Sequence, residues 1–127
     1  VQQPALHQRL LSYASDAIAG FIQDLRSKKL DRKVVVLVYS EFGRRAAENA
    51  NRGTDHGTAN VMFLAGTPVK GGHYGKHPNL KDISINENVD FTVDFRQVYG
   101  TVLDEWLKLD QLMVLDSRFE PFNMIIG

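Results

Sequence analysis

Cysteine is missing altogether, which excludes disulfide staples and thiolate metal sites while leaving the cellular compartment open. Net charge is missing too: 15 basic residues balance 15 acidic ones, so no global field draws the chain to a polyanion or an anionic membrane surface. A nucleic-acid partner is not expected, because the aromatics fall mostly on predicted core faces rather than among gathered Lys and Arg. No apolar run approaches the roughly 20 residues that span a bilayer, so no membrane span is expected. The N-terminal residues read as a mixed helix rather than a basic tip and an apolar block, and no secretory leader is legible in them. There is no internal repeat and no low-complexity tract. What remains is 127 residues, the size of one α/β domain or of a piece of a larger one.

The first strong pattern follows Pro4, which suits the first turn of a helix. Leu6, Leu10, Leu11, Ala14, Ile18, Phe21, Ile22 and Leu25 recur at spacings of three and four, and polar residues occupy the other face. Ser27–Arg32 is a polar connection. Val34–Tyr39 is a continuous apolar run rich in β-branched residues, the pattern of a strand buried on both faces, usually parallel and central. The preceding helix would then cover one sheet face and another helix the opposite one. The segment from Arg44 to Asp55 reads as a polar loop, with room for one helical turn around Ala46–Glu48. Val61–Ala65 reads as a second strand ending at Gly66. Thr67–Asn79 is a loop by its glycine and proline content. Ile83, Ile85, Val89, Phe91 and Val93 suggest short extended pieces. Asp94 then caps a helix, with Gln97 placed to reach back and Phe95, Val98, Tyr99, Val102, Leu103, Trp106 and Leu107 on one apolar face interrupted by Gly100. The tail from Leu109 is apolar enough to pack on the body.

Ligands of open parallel sheets bind beyond the carboxyl ends of the strands. Ser40, Glu41 and Arg44 follow the best strand, and Asp55 and His56 precede the next one. Glu41, Asp55, His56 and His73 supply carboxylate and imidazole donors suited to zinc or another divalent ion. Arg44 suits a phosphate or sulfate group. Each residue also has a structural reading: Asp55 capping a turn, His56 bonding backbone, Glu41 at a helix start, Arg44 in a surface ion pair, and His73 and His77 solvated in a glycine-bearing loop. Ser40 lacks the surroundings of an activated nucleophile.

Val34–Tyr39, Ser40-Glu41-Phe42-Gly43-Arg44, Asp55-His56-Gly57, Met62–Gly66, Val69-Lys70-Gly71-Gly72, Tyr74-Gly75 and Asp94-Phe95-Arg96-Gln97-Val98-Tyr99, followed by Leu103 and Trp106, together resemble the C-terminal portion of the bacterial family DUF1501. That family looks related to the alkaline phosphatase and sulfatase superfamily. The resemblance implies a three-layer αβα fold with a mostly parallel sheet, of which this chain would be an incomplete C-terminal portion. It also implies metal-dependent hydrolysis of small phosphate or sulfate esters, with zinc, calcium, magnesium or manganese as cofactor, in an exported, periplasmic or secreted protein. Ser40-Glu41-Phe42-Gly43 resembles the superfamily's Ser-Asp-His-Gly: Glu41 keeps a carboxylate, but Phe42 offers no lone pair. His56 resembles a later ligand histidine; in an alternative alignment Asp55 and His56 are the Asp-His pair and His73 the later histidine. The superfamily's nucleophile belongs to an N-terminal half outside these residues. Catalysis by this chain alone is therefore not expected, and a missing N-terminal half or another copy would have to complete any site. The competing reading is a degenerate, non-catalytic binding or assembly protein, which Phe42 favours.

Overall fold

The computed structural model describes residues 3–81, 83 and 88–126. Helix α1, Gln3–Ser27, realises the long amphipathic pattern and leads through a 3-10 turn, Asp31–Lys33, into strand β1, Val36–Val38. Strands β2, Gly43–Glu48, and β3, Thr54–Gly57, form a hairpin, and β4, Phe63–Ala65, returns to β1. Helix α2, Phe95–Thr101, runs straight into a π-helical turn, Val102–Leu107, and α3, Leu112–Leu115, follows.

The expected mostly parallel, alkaline-phosphatase-like sheet is not what forms. Two small antiparallel sheets stand in its place, β1 with β4 and β2 with β3. A parallel pair needs a crossover of a dozen or more residues, usually a helix. Here the connection from β1 to β4 is spent on a hairpin, so β4 comes back antiparallel, with Leu37 opposite Leu64. The polar segment expected as a loop is that hairpin, alternating in burial along β2 as a strand does. Gly43 is required where it starts: a Cβ there would lie 1.4 Å from the Ala59 carbonyl oxygen.

Helix α1 does not cover a sheet face. Its N-terminus is tied to the hairpin, where Thr54 Oγ1 donates to Gln3 Oε1 (3.1 Å) and the Gln3 N–H to the Arg52 carbonyl (3.3 Å). At the other end Leu25 is buried, but Leu10, Leu11 and Phe21 remain 58%, 55% and 47% exposed. Val34 to Val38, expected to be buried on both faces, are each half-buried. None of Val89–Val93 or Ile83 lies in a strand, and Ile85 is outside the described residues.

The C-terminal third is held by polar groups. Gln111 and Thr101 are buried, at 2% and 0% exposure. Gln111 Nε2 donates to Asp104 Oδ2 (2.6 Å) and to the Phe119 carbonyl (3.0 Å), while its Oε1 accepts from the Phe119 N–H (2.7 Å). Thr101 Oγ1 accepts from the Phe122 N–H (3.0 Å). Both carboxylate oxygens of Glu105 are used, one by the Asn123 N–H (2.7 Å) and the other by the Ile125 N–H (2.9 Å). The tail then bridges at Ile125 to Val69, before the Gly71-Gly72 loop. Gly100 makes this possible: a Cβ there would sit 2.6 Å from Gln111 Oε1, and that oxygen is already fixed by its hydrogen bond. The capping expectation holds at Asp94, which accepts from the Arg96 N–H (2.9 Å), but Gln97 reaches the Glu120 carbonyl (3.4 Å) rather than back to its own cap. Leu37, Tyr99, Val102, Leu103, Val114 and Leu115 line an apolar recess of about 210 Å³ between β1 and these helices.

Gln111→Leu keeps the volume but strands both main-chain groups of Phe119, so it is expected to cost about 2–4 kcal/mol in urea unfolding; a loss under about 0.5 kcal/mol would show that water replaces the clasp. Hydrogen bonds from the Arg96 side chain and backbone hold the Asp94 carboxyl below its ordinary value of 3.8. Its contribution is therefore present above that value and lost as pH falls through the lower folded value. Asp94→Asn should differ from wild type in stability near neutral pH, with the difference closing under acid; a difference independent of pH would assign the effect to the cap alone.

Candidate functional site

The residues singled out for chemistry lie around the β2–β3 hairpin. Ser40 to Phe42 turn the chain out of β1, braced by Asn60 Nδ2 donating to the Ser40 carbonyl. Within the hairpin Arg44 pairs with His56 in register, so both side chains stand on one face. Phe42 lies between them in function: its ring stacks on His56, with centroids 3.6 Å apart and planes 12° from parallel, and the Arg44 guanidinium is 4.9 Å from its centroid. Arg44 also donates from Nη1 to the Thr54 carbonyl (2.8 Å). An arginine so engaged locks the two strands together.

The other candidates go elsewhere. Asp55 and His56 are consecutive residues of β3, and successive strand side chains leave from opposite faces. Asp55 accepts from Asn49 Nδ2 (2.9 Å) across the hairpin loop. Glu41 is exposed in the bend before β2. His73 is in the glycine-rich loop, where it stacks on His77 with centroids 4.5 Å apart. Among the described residues no three His, Cys, Asp or Glu side chains gather into a group able to hold a metal ion.

The sequence model of a family described as "Protein of unknown function (DUF1501)" matches residues 1–117. The chain belongs to that family. No curated protein matches it, and no solved structure does. For this DUF1501 chain, the expected divalent centre with zinc, calcium, magnesium or manganese is overturned by the placement of its own donors, and with it the metal-dependent hydrolase reading. Glu41, Asp55, His56 and His73 do not form one donor set among the described residues. No helix among the described residues is long and apolar enough to cross a membrane.

Sequence reasoning treated Phe42 only as a residue that cannot ligate; it organises the hairpin face. It also passed over Arg45, whose Nε is buried without a hydrogen-bond acceptor among the described residues. The sequence carried no signal for it, since Arg44-Arg45-Ala46-Ala47-Glu48 does not alternate in polarity, although in the structure Arg44, Ala46 and Glu48 are exposed and Arg45 and Ala47 half-buried. A double-mutant cycle on Phe42→Ala and His56→Ala is expected to return a coupling of about 0.5–1 kcal/mol in thermal unfolding. Additive losses would mean the two rings do not support one another.

Proposed function

We propose that this DUF1501 chain is a non-catalytic binding or assembly segment, whose apolar surface is completed by further polypeptide. The observation that carries this reading is its surface. The chain exposes 9502 Å², whereas a self-contained folded protein of 14.3 kDa exposes roughly 6,800 Å². Large apolar side chains contribute to that surface. Leu10, Leu11, Tyr13 and Phe21 on α1, Val61 and Phe63 at β4, and Met113 and Val114 on α3 are all exposed. Among the described residues the buried apolar side chains are Leu25, Pro68 and Met124, while Gln111 and Thr101 are buried by hydrogen bonding.

Single exposed apolar residues are ordinary, but several large ones along one helix mark an interaction surface. Arg44, His56 and Phe42 serve this reading as a rigid hairpin face, and their mutual stacking gives that face its shape. A partner could be the remainder of a longer DUF1501 polypeptide or another copy of this chain.

The test is sedimentation velocity of the purified chain over a hundredfold concentration range, paired with fluorescence of a dye that lights up on apolar surface. The expected result is association that rises with concentration, or a monomer that binds dye strongly. A compact monomer that leaves the dye dark throughout would remove the reading.

A further inference from the structure

The tail is held by its backbone. Among the described residues, every hydrogen bond from the body to Phe119–Ile126 ends on a main-chain atom of that segment. Gln97, Thr101 and Glu105 stand four residues apart along α2 and the π-helical turn. They meet the tail in order: the Glu120 carbonyl, the Phe122 N–H, then the Asn123 and Ile125 N–H groups. Four helical residues rise about 6 Å, and two residues of extended backbone span about 6.5 Å. The stripe is therefore pitched to an extended chain, whatever side chains that chain carries.

Its polarity is fixed as well. Thr101 Oγ1 donates its proton to the Gln97 carbonyl (2.7 Å) and is left to accept, while the Glu105 carboxylate has acceptors alone. On the tail's other side the Lys70 N–H donates to the Met124 carbonyl (2.7 Å) and the Ile126 N–H to the Pro68 carbonyl (2.6 Å), as antiparallel strands pair. Asn123, at φ 51°, bends the tail so that two N–H groups converge on Glu105, a conformation asparagine and glycine tolerate best. We propose that Gln97, Thr101, Glu105, Gln111 and the Pro68–Lys70 edge form a groove that binds an extended peptide by its main chain, and that Phe119–Ile126 is a displaceable occupant of it. The peptide that fits carries asparagine or glycine at the bend and an apolar side chain on either side of it. In the tail these are Phe122, which meets the Tyr74 ring, and Met124, which is 6% exposed. The groove residues all lie within residues 1–117, which the family model matches, and the seated segment lies beyond them. An exposed link, Asp116 to Arg118, joins the two, and its Arg118–Asp110 ion pair faces water. This groove is apart from the exposed apolar residues of α1 and β4 and goes beyond the binding reading they carry.

The test keeps the whole chain. A protease recognition sequence is inserted between the exposed Asp116 and Ser117 and cut after folding. Far-ultraviolet circular dichroism should be unchanged by the cut. A fluorescein-labelled peptide of residues 117–127 should then replace the original tail, read as a rise in anisotropy and as tail released on gel filtration. A peptide with an ester in place of the Asn123 amide keeps the shape but has no N–H for Glu105, and should bind weaker by about tenfold or more. An ester at Met124, whose N–H has no partner among the described residues, should bind within about threefold of the natural peptide.

A cut tail that the labelled peptide never replaces, or a helical signal lost on cutting, makes the segment a fixed part of the fold and overturns the groove. Equal affinity of the two ester peptides overturns recognition through the main chain. Each of these results leaves the sedimentation and dye test of the binding reading to stand or fall on its own.

Discussion

One buried carboxamide sets the arrangement of the C-terminal third. Gln111 joins the Asp104 carboxylate on one helix to both main-chain groups of Phe119 in the tail, at 2% exposure. A buried amide is costly unless each of its groups is paired, and costly in a way that rejects alternatives. Any shift of the tail by a residue would leave Phe119 and Gln111 without partners, whereas a shift of apolar side chains would cost only packing. Thr101 and Glu105 extend the same logic to Phe122, Asn123 and Ile125. The specificity here comes from hydrogen bonds more than from aliphatic packing, which is sparse.

That balance explains what could be read from the chain. The α1 pattern and the Asp94-capped helix were legible because they are local, each set by spacing and one capping group. Val61–Ala65 was legible as a strand, and its observed core, Phe63–Ala65, lies inside it. Strand direction was not, since a continuous apolar run says that both faces want cover and nothing about which way the neighbour runs. The hairpin was missed because Arg44, Arg45 and Glu48 are poor strand formers by composition; their register is held by the Phe42 stack and the Arg44 bond to Thr54. Gln111 gave no signal at all. A lone glutamine in a tail looks like surface until Gly100 is found beneath it.

The candidate site failed for a related reason. Residue types suited to a divalent ion were present, but neighbours in sequence are not neighbours in a strand, and Asp55 and His56 diverge because they are adjacent. Among the described residues no third donor joins any pair of them, and the His56 ring instead packs on Phe42 at 3.6 Å. The same residues that suggested a reaction centre thus describe a shaped, stiff face on a chain with too little interior of its own.

The π-helical turn at Val102–Leu107 carries one implication for how the family can vary. Widening the helix there lets two successive residues, Asp104 and Glu105, grip two different stretches of the tail. Ordinary α-helical spacing would swing one of those carboxylates away. The turn therefore counts its residues: a relative that lost one there would have to re-anchor its C-terminus.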